Sequence, residues 1–213
     1  MTRINLRPIA SPMPVGFYAV AIASVMVACL QLGLFPAGAD RAVALTILPA
    51  FVLQLVVGVI AFGARDVVAA TLMSCFSGMW LAGALVSGLQ PPGGGAVLGV
   101  LNLVFALFAV LIASVARPKR ALWLVLVTAV PRFAVAGTAN LTGLPWLATA
   151  SGVLGLLLAA VALYAAFALM LEDMRGHEVL PIGRSGPAHR AVEGDLTVQL
   201  RDLERHAGVR RTL

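Results

Sequence analysis

The sequence predicts an all-α membrane protein in which six transmembrane helices form one bundle. The chain of 213 residues is 61% hydrophobic and 11% charged, whereas soluble domains are about 45–50% apolar and about 25% charged. Its mean hydropathy is +0.99. Six apolar runs follow one another, each close to the roughly 20 residues that a helix needs to cross a bilayer.

Turn-forming and charged residues separate the six runs. Pro36 and Gly38 follow the first run, Arg65 lies after the second, and prolines and glycines fill residues 91–95 after the third. A basic joint at residues 117–120 follows the fourth run, and Gly143 and Pro145 end the fifth. The predicted spans are Val15–Phe35, Ala42–Phe62, Val67–Leu89, Ala96–Ala116, Ala121–Ala139 and Trp146–Leu171.

The distribution of Lys and Arg predicts that both termini are cytoplasmic. With that orientation, 13 of the 15 basic residues lie on the cytoplasmic side, as the positive-inside rule requires. The two exceptions are Arg41, in an external loop, and Arg132, inside the fifth span.

The chain therefore divides into four predicted segments. Residues 1–14 form a cytoplasmic segment that leads into the first span, and residues 15–171 form the six-helix transmembrane domain. Residues 172–183 form an exit turn, and residues 184–213 form a cytoplasmic polar tail. Four apolar residues of that tail recur at helical spacing and predict a short amphipathic helix. They are Leu196, Leu200, Leu203 and Ala207.

Composition also argues against several functional classes. The net charge of +6 lies in loops and tail without an aromatic-studded basic face, so nucleic acid is not a predicted partner. All three histidines follow the last span, which argues against a metal site, a cofactor or an intramembrane protease. We therefore predict no catalytic residues, and we expect the lipid bilayer to be the surrounding medium.

Three motifs occur in order along the six spans. Ser11-Pro12-Met13-Pro14-Val15-Gly16 precedes the first span. Gln54 and Gly58 lie in the second span, and the third carries Thr71-Leu72-Met73-Ser74-Cys75-Phe76-Ser77-Gly78-Met79-Trp80. Tyr164 in the sixth span leads to Leu180-Pro181-Ile182-Gly183. Over residues 11–183 this pattern resembles the acetate uptake transporter family, also called the succinate–acetate permeases.

The resemblance implies a multi-pass protein of the cytoplasmic membrane whose own helix bundle forms the pathway. It implies subunits assembled in a ring, commonly a hexamer, and transport of acetate and related monocarboxylates. In some members the substrate is succinate, and transport is often coupled to protons. The resemblance also assigns signature roles to Ser11, Pro12, Pro14, Gly16, Tyr164, Leu180, Pro181 and Gly183.

The sequence departs from the family pattern at several positions. A Glu usual in the second span is Ala61, and another usual in the sixth is Leu169, with Glu172 and Asp173 displaced into the following turn. The family's narrow hydrophobic waist corresponds to Val20, Phe76 and Ala129. Small side chains at two of these three positions predict a wider waist, which fits either a larger substrate or compensating packing elsewhere.

Arg132 is the most informative single residue. It lies near the membrane midplane, where a charge costs roughly 3 to 10 kcal/mol and therefore faces a cavity or a partner. It lies three residues after Ala129, on the same helix face. Either its guanidinium binds the carboxylate of the substrate, or it caps the Val127 carbonyl that Pro131 leaves without a donor.

Uncharged polar side chains inside the spans are further candidates for the pathway. Gln54, Thr71 and Ser74 carry amide and hydroxyl groups that suit a small carboxylic acid. Each of them could instead satisfy a helix backbone. Because the predicted spans contain no Asp, Glu or His, proton relay lacks candidate residues. Uptake of the neutral acid and passive anion conduction both stay open.

The predicted function is thus a transporter or channel for acetate and related short carboxylates. Two alternatives remain open. One is a channel for another small solute, and the other is a membrane protein that keeps the family fold without transporting anything.

Overall fold

Six helices make up the computed structural model, which describes residues 10–64 and 66–183. All six are long and apolar enough to cross a membrane, which confirms the predicted all-α, six-helix fold. Residues 1–9 and the predicted tail helix within residues 184–213 lie outside the described ranges. The helices are α1 (Met13–Gln31), α2 (Asp40–Gly63), α3 (Val67–Leu89), α4 (Gly94–Ala116), α5 (Arg120–Thr142) and α6 (Pro145–Arg175).

The first helix is shorter at its end than the predicted span. It begins at Met13, with Pro14 in the first turn, where a missing N–H costs nothing. It stops at Gln31 because Gly33 adopts a left-handed conformation with φ of +69°. The predicted continuation to Phe35 was therefore wrong.

The sixth helix is longer than predicted. It continues to Arg175 and is ended by Gly176, again left-handed with φ of +69°. Glu172 and Asp173 thus belong to the last turn of α6, and the prediction that they fall in the turn after it was wrong. Glu172 is buried there.

The helices form a closed ring in chain order. Each helix packs against the next one along the chain, and α6 packs against α1. The contact between α3 and α4 is the least extensive of these seams, and α1 also touches α3. Successive helices run in opposite directions, so α1, α3 and α5 start at one end, which we call the Met13 end. Residues on the inner faces of the helices form one continuous hydrophobic core.

Glycines allow close approach at the two tightest seams between neighbours in chain order. At the α2–α3 seam, a Cβ added at Gly58 would collide with Ser74 Oγ. At the α4–α5 seam, a Cβ added at Gly137 would lie 2.8 Å from the carbonyl oxygen of Gly99. Such contacts let helix backbones pack closely where lipid removes the hydrophobic driving force.

The ring is closed by a glycine contact of the same kind. A Cβ added at Gly155 of α6 would lie 3.1 Å from the Cβ of Ala28 in α1. Nearby, Ser151 Oγ donates a hydrogen bond to Gln31 Oε1 across 3.2 Å. The first and last helices are thereby held together, which fixes an interior for the ring.

Candidate functional site

Four aromatic side chains contact one another in the core of the bundle. Phe76 and Trp80 come from α3, Phe105 from α4 and Phe133 from α5, and we call them the aromatic cluster. Phe76 lies 4.9 Å from Phe105 and 5.8 Å from Phe133 between ring centroids, in edge-to-face geometry. Phe105 and Phe133 are 4.8 Å apart. These separations are those of favourable aromatic pairs, so the four rings pack well against one another in the core.

The three predicted waist residues all lie in the core at similar depth. Val20 is seven residues after Met13, Phe76 is nine after Val67, and Ala129 is nine after Arg120. At about 1.5 Å per residue, these positions lie about 10–14 Å from the Met13 end. Each is fully buried. They belong to the same hydrophobic core as the four rings of the aromatic cluster.

Arg132 lies one turn beyond Ala129 on α5, next to the aromatic cluster. Only 3% of the residue is exposed. Its guanidinium carbon lies 4.8 Å from the centroid of the Phe133 ring, close enough for a cation–π contact. Within the described residues, its Nε has no hydrogen-bond partner and the side chain forms no ion pair. The described part of the chain therefore buries this cation in the bundle without pairing it with an anion.

The alternative role predicted for Arg132 is not seen. Capping would require a hydrogen bond from its guanidinium to the Val127 carbonyl, which Pro131 leaves without its usual donor. The structure shows no hydrogen bond from Arg132 to Val127 or to any other described residue. The helix α5 runs through Pro131 without this cap.

Trp80 has a second donor without a hydrogen-bond partner in the described chain, and it also lies beside the Phe133 ring. Its indole centroid lies 6.4 Å from that of Phe133. The residue is 3% exposed, and its Nε1 has no hydrogen-bond partner in the described part of the chain. A buried indole N–H usually finds an acceptor, so this one is as unusual as Arg132.

A cavity lies at the Met13 end of the ring, and we call it the mouth. Its volume is about 140 Å³. Ser11 of the first motif and Ile182 of the last both line it, together with Phe17 of α1. The two family signatures, distant in sequence, therefore meet at one opening of the bundle.

One ion pair spans the mouth. Asp66 and Lys119 precede α3 and α5, and they line the cavity. Lys119 Nζ pairs with Asp66 Oδ2, while Asp66 Oδ1 accepts a hydrogen bond of 3.1 Å from the Ala69 N–H. Asp66 is thus the N-cap of α3, and it ties the starts of two helices together.

The Leu180-Pro181-Ile182-Gly183 motif folds back across the mouth. Tyr164 Oη donates a hydrogen bond of 3.1 Å to the Pro181 carbonyl. Glu178 Oε1 accepts one of 2.8 Å from the Ile182 N–H. Gly183 has φ of +66°, and a Cβ there would lie 2.8 Å from Arg120 Cδ. The motif therefore docks onto the start of α5, with Leu180 packed against the core.

The first motif is held by Gln54. Its Nε2 donates a hydrogen bond of 3.2 Å to the Gly16 carbonyl and lies 3.6 Å from Met73 Sδ. Gly16 itself has no room for a side chain, because an added Cβ would lie 2.7 Å from the same sulfur. Pro12 is the residue that caps α1. Gln54 thus joins α2 to α1 and α3 in the core.

The remaining predicted polar residues lie apart from the aromatic cluster. Ser74 faces the close approach of α2 at Gly58. Thr71 is half-buried on α3, one turn before Cys75. Ser74 thus lies at a helix seam, and the structure shows no hydrogen bond between either residue and Arg132.

The sequence analysis did not identify three of the four aromatic-cluster residues as site residues, nor the ion pair at the mouth. Trp80 and Phe133 are four residues beyond the predicted waist positions Phe76 and Ala129, and this helical spacing could have identified them. Phe105 lies outside every motif. The pairing of Asp66 with Lys119 joins residues 53 positions apart, and no local pattern marks it.

Comparison with known proteins identifies the family. Residues 1–181 match the model of the GPR1/FUN34/yaaH family. A solved structure of the bacterial acetate channel SatP shares the fold, with a TM-score of 0.72 at 21% sequence identity. That similarity covers 82% of this chain and 99% of the other. No curated protein matches the sequence significantly. The family predicted from the three motifs is confirmed.

Proposed function

The chain belongs to the GPR1/FUN34/yaaH family, and we propose on that basis that acetate or a similar short carboxylate crosses a membrane through its six-helix ring. The family match and the shared fold with an acetate channel support this proposal. The substrate would move along the residues that face the inside of the six-helix bundle.

The observation that carries the proposal is the unpaired guanidinium of Arg132. Desolvating a charge costs several kcal/mol unless an opposite charge or hydrogen bonds compensate. Since the described residues offer Arg132 neither, the compensating group is an anion that visits the interior. A guanidinium matches a carboxylate with two parallel hydrogen bonds. We therefore assign Arg132 as the central binding group.

The waist residues and the mouth complete the proposed route. A carboxylate that enters at the mouth meets the Lys119 side chain, which is 40% exposed. It then passes the level of Val20, Phe76 and Ala129 before it reaches Arg132. Because these three residues are fully buried in the structure, passage requires the aromatic cluster to move.

We further propose the arrangement in the cell. The charge distribution supports cytoplasmic termini, so the Met13 end would face the cytoplasm and the protein would span the cytoplasmic membrane. The family resemblance supports a homo-oligomeric ring. The outer faces of α2, α4 and α6 expose many large apolar side chains, which suit lipid or neighbouring subunits.

The substrate itself would carry any proton that crosses. Within the described helices, Asp and Glu occur only in first or last turns, as Asp40, Glu172 and Asp173. A relay through the ring would need such groups at depth. A weak acid can instead cross in its neutral form and release its proton on the other side.

Uptake of labelled acetate into proteoliposomes tests the proposal. Purified protein should give uptake that protein-free vesicles lack. Replacing Arg132 by Leu should lower that uptake at least about 30-fold, because a buried charge partner of the substrate is lost. Arg132→Lys should give an intermediate rate, since it keeps the charge and loses the two-pronged geometry.

Arg41→Leu is the matched control. Arg41 is exposed in the first turn of α2, at the opposite end from the mouth, and its loss should leave uptake unchanged. Full uptake by a well-folded Arg132→Leu protein would refute the assigned role. Absence of uptake by the unmodified protein, for acetate and for other short carboxylates, would refute the function itself.

A further inference from the structure

We propose that the indole N–H of Trp80 is the second hydrogen-bond donor of the Arg132 site, and that this site accepts a single carboxylate on a short apolar chain. The proposal deepens the proposed function and rests on it for the route by which the ligand arrives. It assigns a specificity-determining residue, and it excludes dicarboxylates from the site.

Trp80 and Arg132 border the same aromatic ring. The Trp80 indole lies 6.4 Å from the Phe133 centroid, and the Arg132 guanidinium carbon lies 4.8 Å from it. Both residues are 97% buried, and both have a nitrogen donor without a partner in the described chain. Two unpaired donors at one ring lack an acceptor group, and a carboxylate has two acceptor oxygens.

The two donors also lie at the same level of the bundle. Trp80 is thirteen residues after the start of α3 at Val67, and Arg132 is twelve after the start of α5 at Arg120. Since both helices begin at the Met13 end, both side chains arise about 18–20 Å from it. The shared height and the shared Phe133 ring are the two observations that favour one anion between these donors.

The charges of the interior allow only one carboxylate. In the described helices, every charged residue other than Arg132 lies in a first or last turn. The surroundings of Arg132 are aromatic: Phe133 lies against it, and Phe76 and Phe105 lie against Phe133. A second carboxylate of the same molecule would be buried against these rings without a cation, which is strongly unfavourable.

The rings instead suit the apolar end of a short monocarboxylate. A methyl or ethyl group gains from contact with aromatic carbon and needs no hydrogen bond. The head group would be held by Arg132 and Trp80, with the tail on the side of Phe76. Acetate and propionate fit this description, and succinate does not.

Equilibrium binding to the purified protein tests the inference without requiring transport. In a saturation-transfer NMR titration, acetate should bind to the unmodified protein. Trp80→Phe keeps an aromatic six-membered ring beside Phe76 and Phe133 and removes the N–H together with the rest of the five-membered ring. It should raise the dissociation constant for acetate about tenfold or more, the expected loss for a hydrogen bond to a charged group.

Trp146→Phe is the matched control. It makes the same chemical change at a residue of α6 that is 64% exposed, and acetate affinity should not change. Trp80→Phe should unfold at a lower temperature than Trp146→Phe, because it leaves a buried cavity. Cooperative unfolding and an unchanged helix content in both variants separate a lost donor from a misfolded protein. An unchanged dissociation constant in Trp80→Phe would overturn the assignment of the second donor.

Competition between ligands tests the charge argument. Propionate should displace acetate from the unmodified protein, and succinate as the dianion should not. Displacement by succinate as strong as that by propionate would overturn the single-carboxylate site. Binding through Trp80 without any uptake into proteoliposomes would instead refute the proposed function and leave this inference standing.

Discussion

The polar groups at the mouth form hydrogen bonds and an ion pair, whereas two polar groups at the aromatic cluster have no partner in the described chain. At the mouth, Asp66 pairs with Lys119 and caps α3, and Tyr164 bonds to the returning Leu180–Gly183 segment. In the aromatic cluster and beside it, the Trp80 Nε1 and Arg132 Nε donors have no partner in the described chain. The mouth is only partly shielded from water, whereas the cluster is fully buried. The unpaired groups therefore lie where leaving them unpaired is most costly.

This contrast separates side chains that hold the fold from side chains that act on a ligand. A satisfied polar contact near the surface contributes modestly to stability, typically about 1 kcal/mol. An unsatisfied donor in the interior lowers stability. Two such donors border the same Phe133 ring, and this concentration favours the aromatic cluster and Arg132 as the place where a ligand binds.

The largest effect on stability is expected from opening the aromatic cluster. Phe76→Ala removes a fully buried ring that contacts Trp80, Phe105 and Phe133. We expect a loss of about 3–5 kcal/mol in the free energy of unfolding. Acetate uptake per folded protein should rise, because the closing ring is gone. Unfolding in detergent and uptake in proteoliposomes would measure the two effects, and a lower uptake per folded protein would contradict a closing role.

The next largest effect is an expected gain in stability. Arg132→Leu should raise the free energy of unfolding by about 1–4 kcal/mol in the absence of carboxylate, by analogy with buried charges replaced by apolar groups. Acetate should stabilise the unmodified protein against heat and leave the variant unaffected. A destabilised Arg132→Leu protein would show that the guanidinium has a structural partner, and the contrast between the two regions would fail.

The sequence predicts the six spans and their order well, because length and hydropathy decide them. Span ends depend on single residues: Gly33 stops α1 early and Gly176 stops α6 late. Pro14 in the first turn of α1 is likewise a local signal that the sequence states directly. These signals lie in the sequence next to the helix ends, although the predicted ends of α1 and α6 did not use them.

Only part of the candidate site could be predicted from the sequence. Arg132 stood out because a charge inside a span is costly. The ring of Phe105 and the pairing of Asp66 with Lys119 depend on which helices become neighbours, and no motif records that. Likewise, only coordinates distinguish a polar side chain that joins two helices, such as Ser77, which donates to the Phe51 carbonyl, from one that is left unpaired, such as Trp80.

A smaller effect is expected at the mouth. Asp66→Ala removes both the N-cap of α3 and the ion pair, and it should lower the free energy of unfolding by about 1–2 kcal/mol. Lys119→Ala removes the ion pair alone and should cost less than about 1 kcal/mol, because both partners are partly exposed. Thermal unfolding of the two variants side by side gives the comparison. Equal losses would mean that the cap contributes nothing.

The smallest effect is expected where the polar contact is most exposed. Tyr164→Phe removes the hydroxyl that donates to the Pro181 carbonyl, on a side chain that is 44% exposed. Water replaces that bond in part, so we expect a loss of about 0.5–1 kcal/mol in the free energy of unfolding and no change in acetate affinity. Tyr18→Phe makes the same change on α1, where the hydroxyl has no bond within the described chain, and it should have no effect. A fall in acetate affinity caused by Tyr164→Phe would contradict the contrast, because it would show that the segment folded across the mouth also governs the interior site.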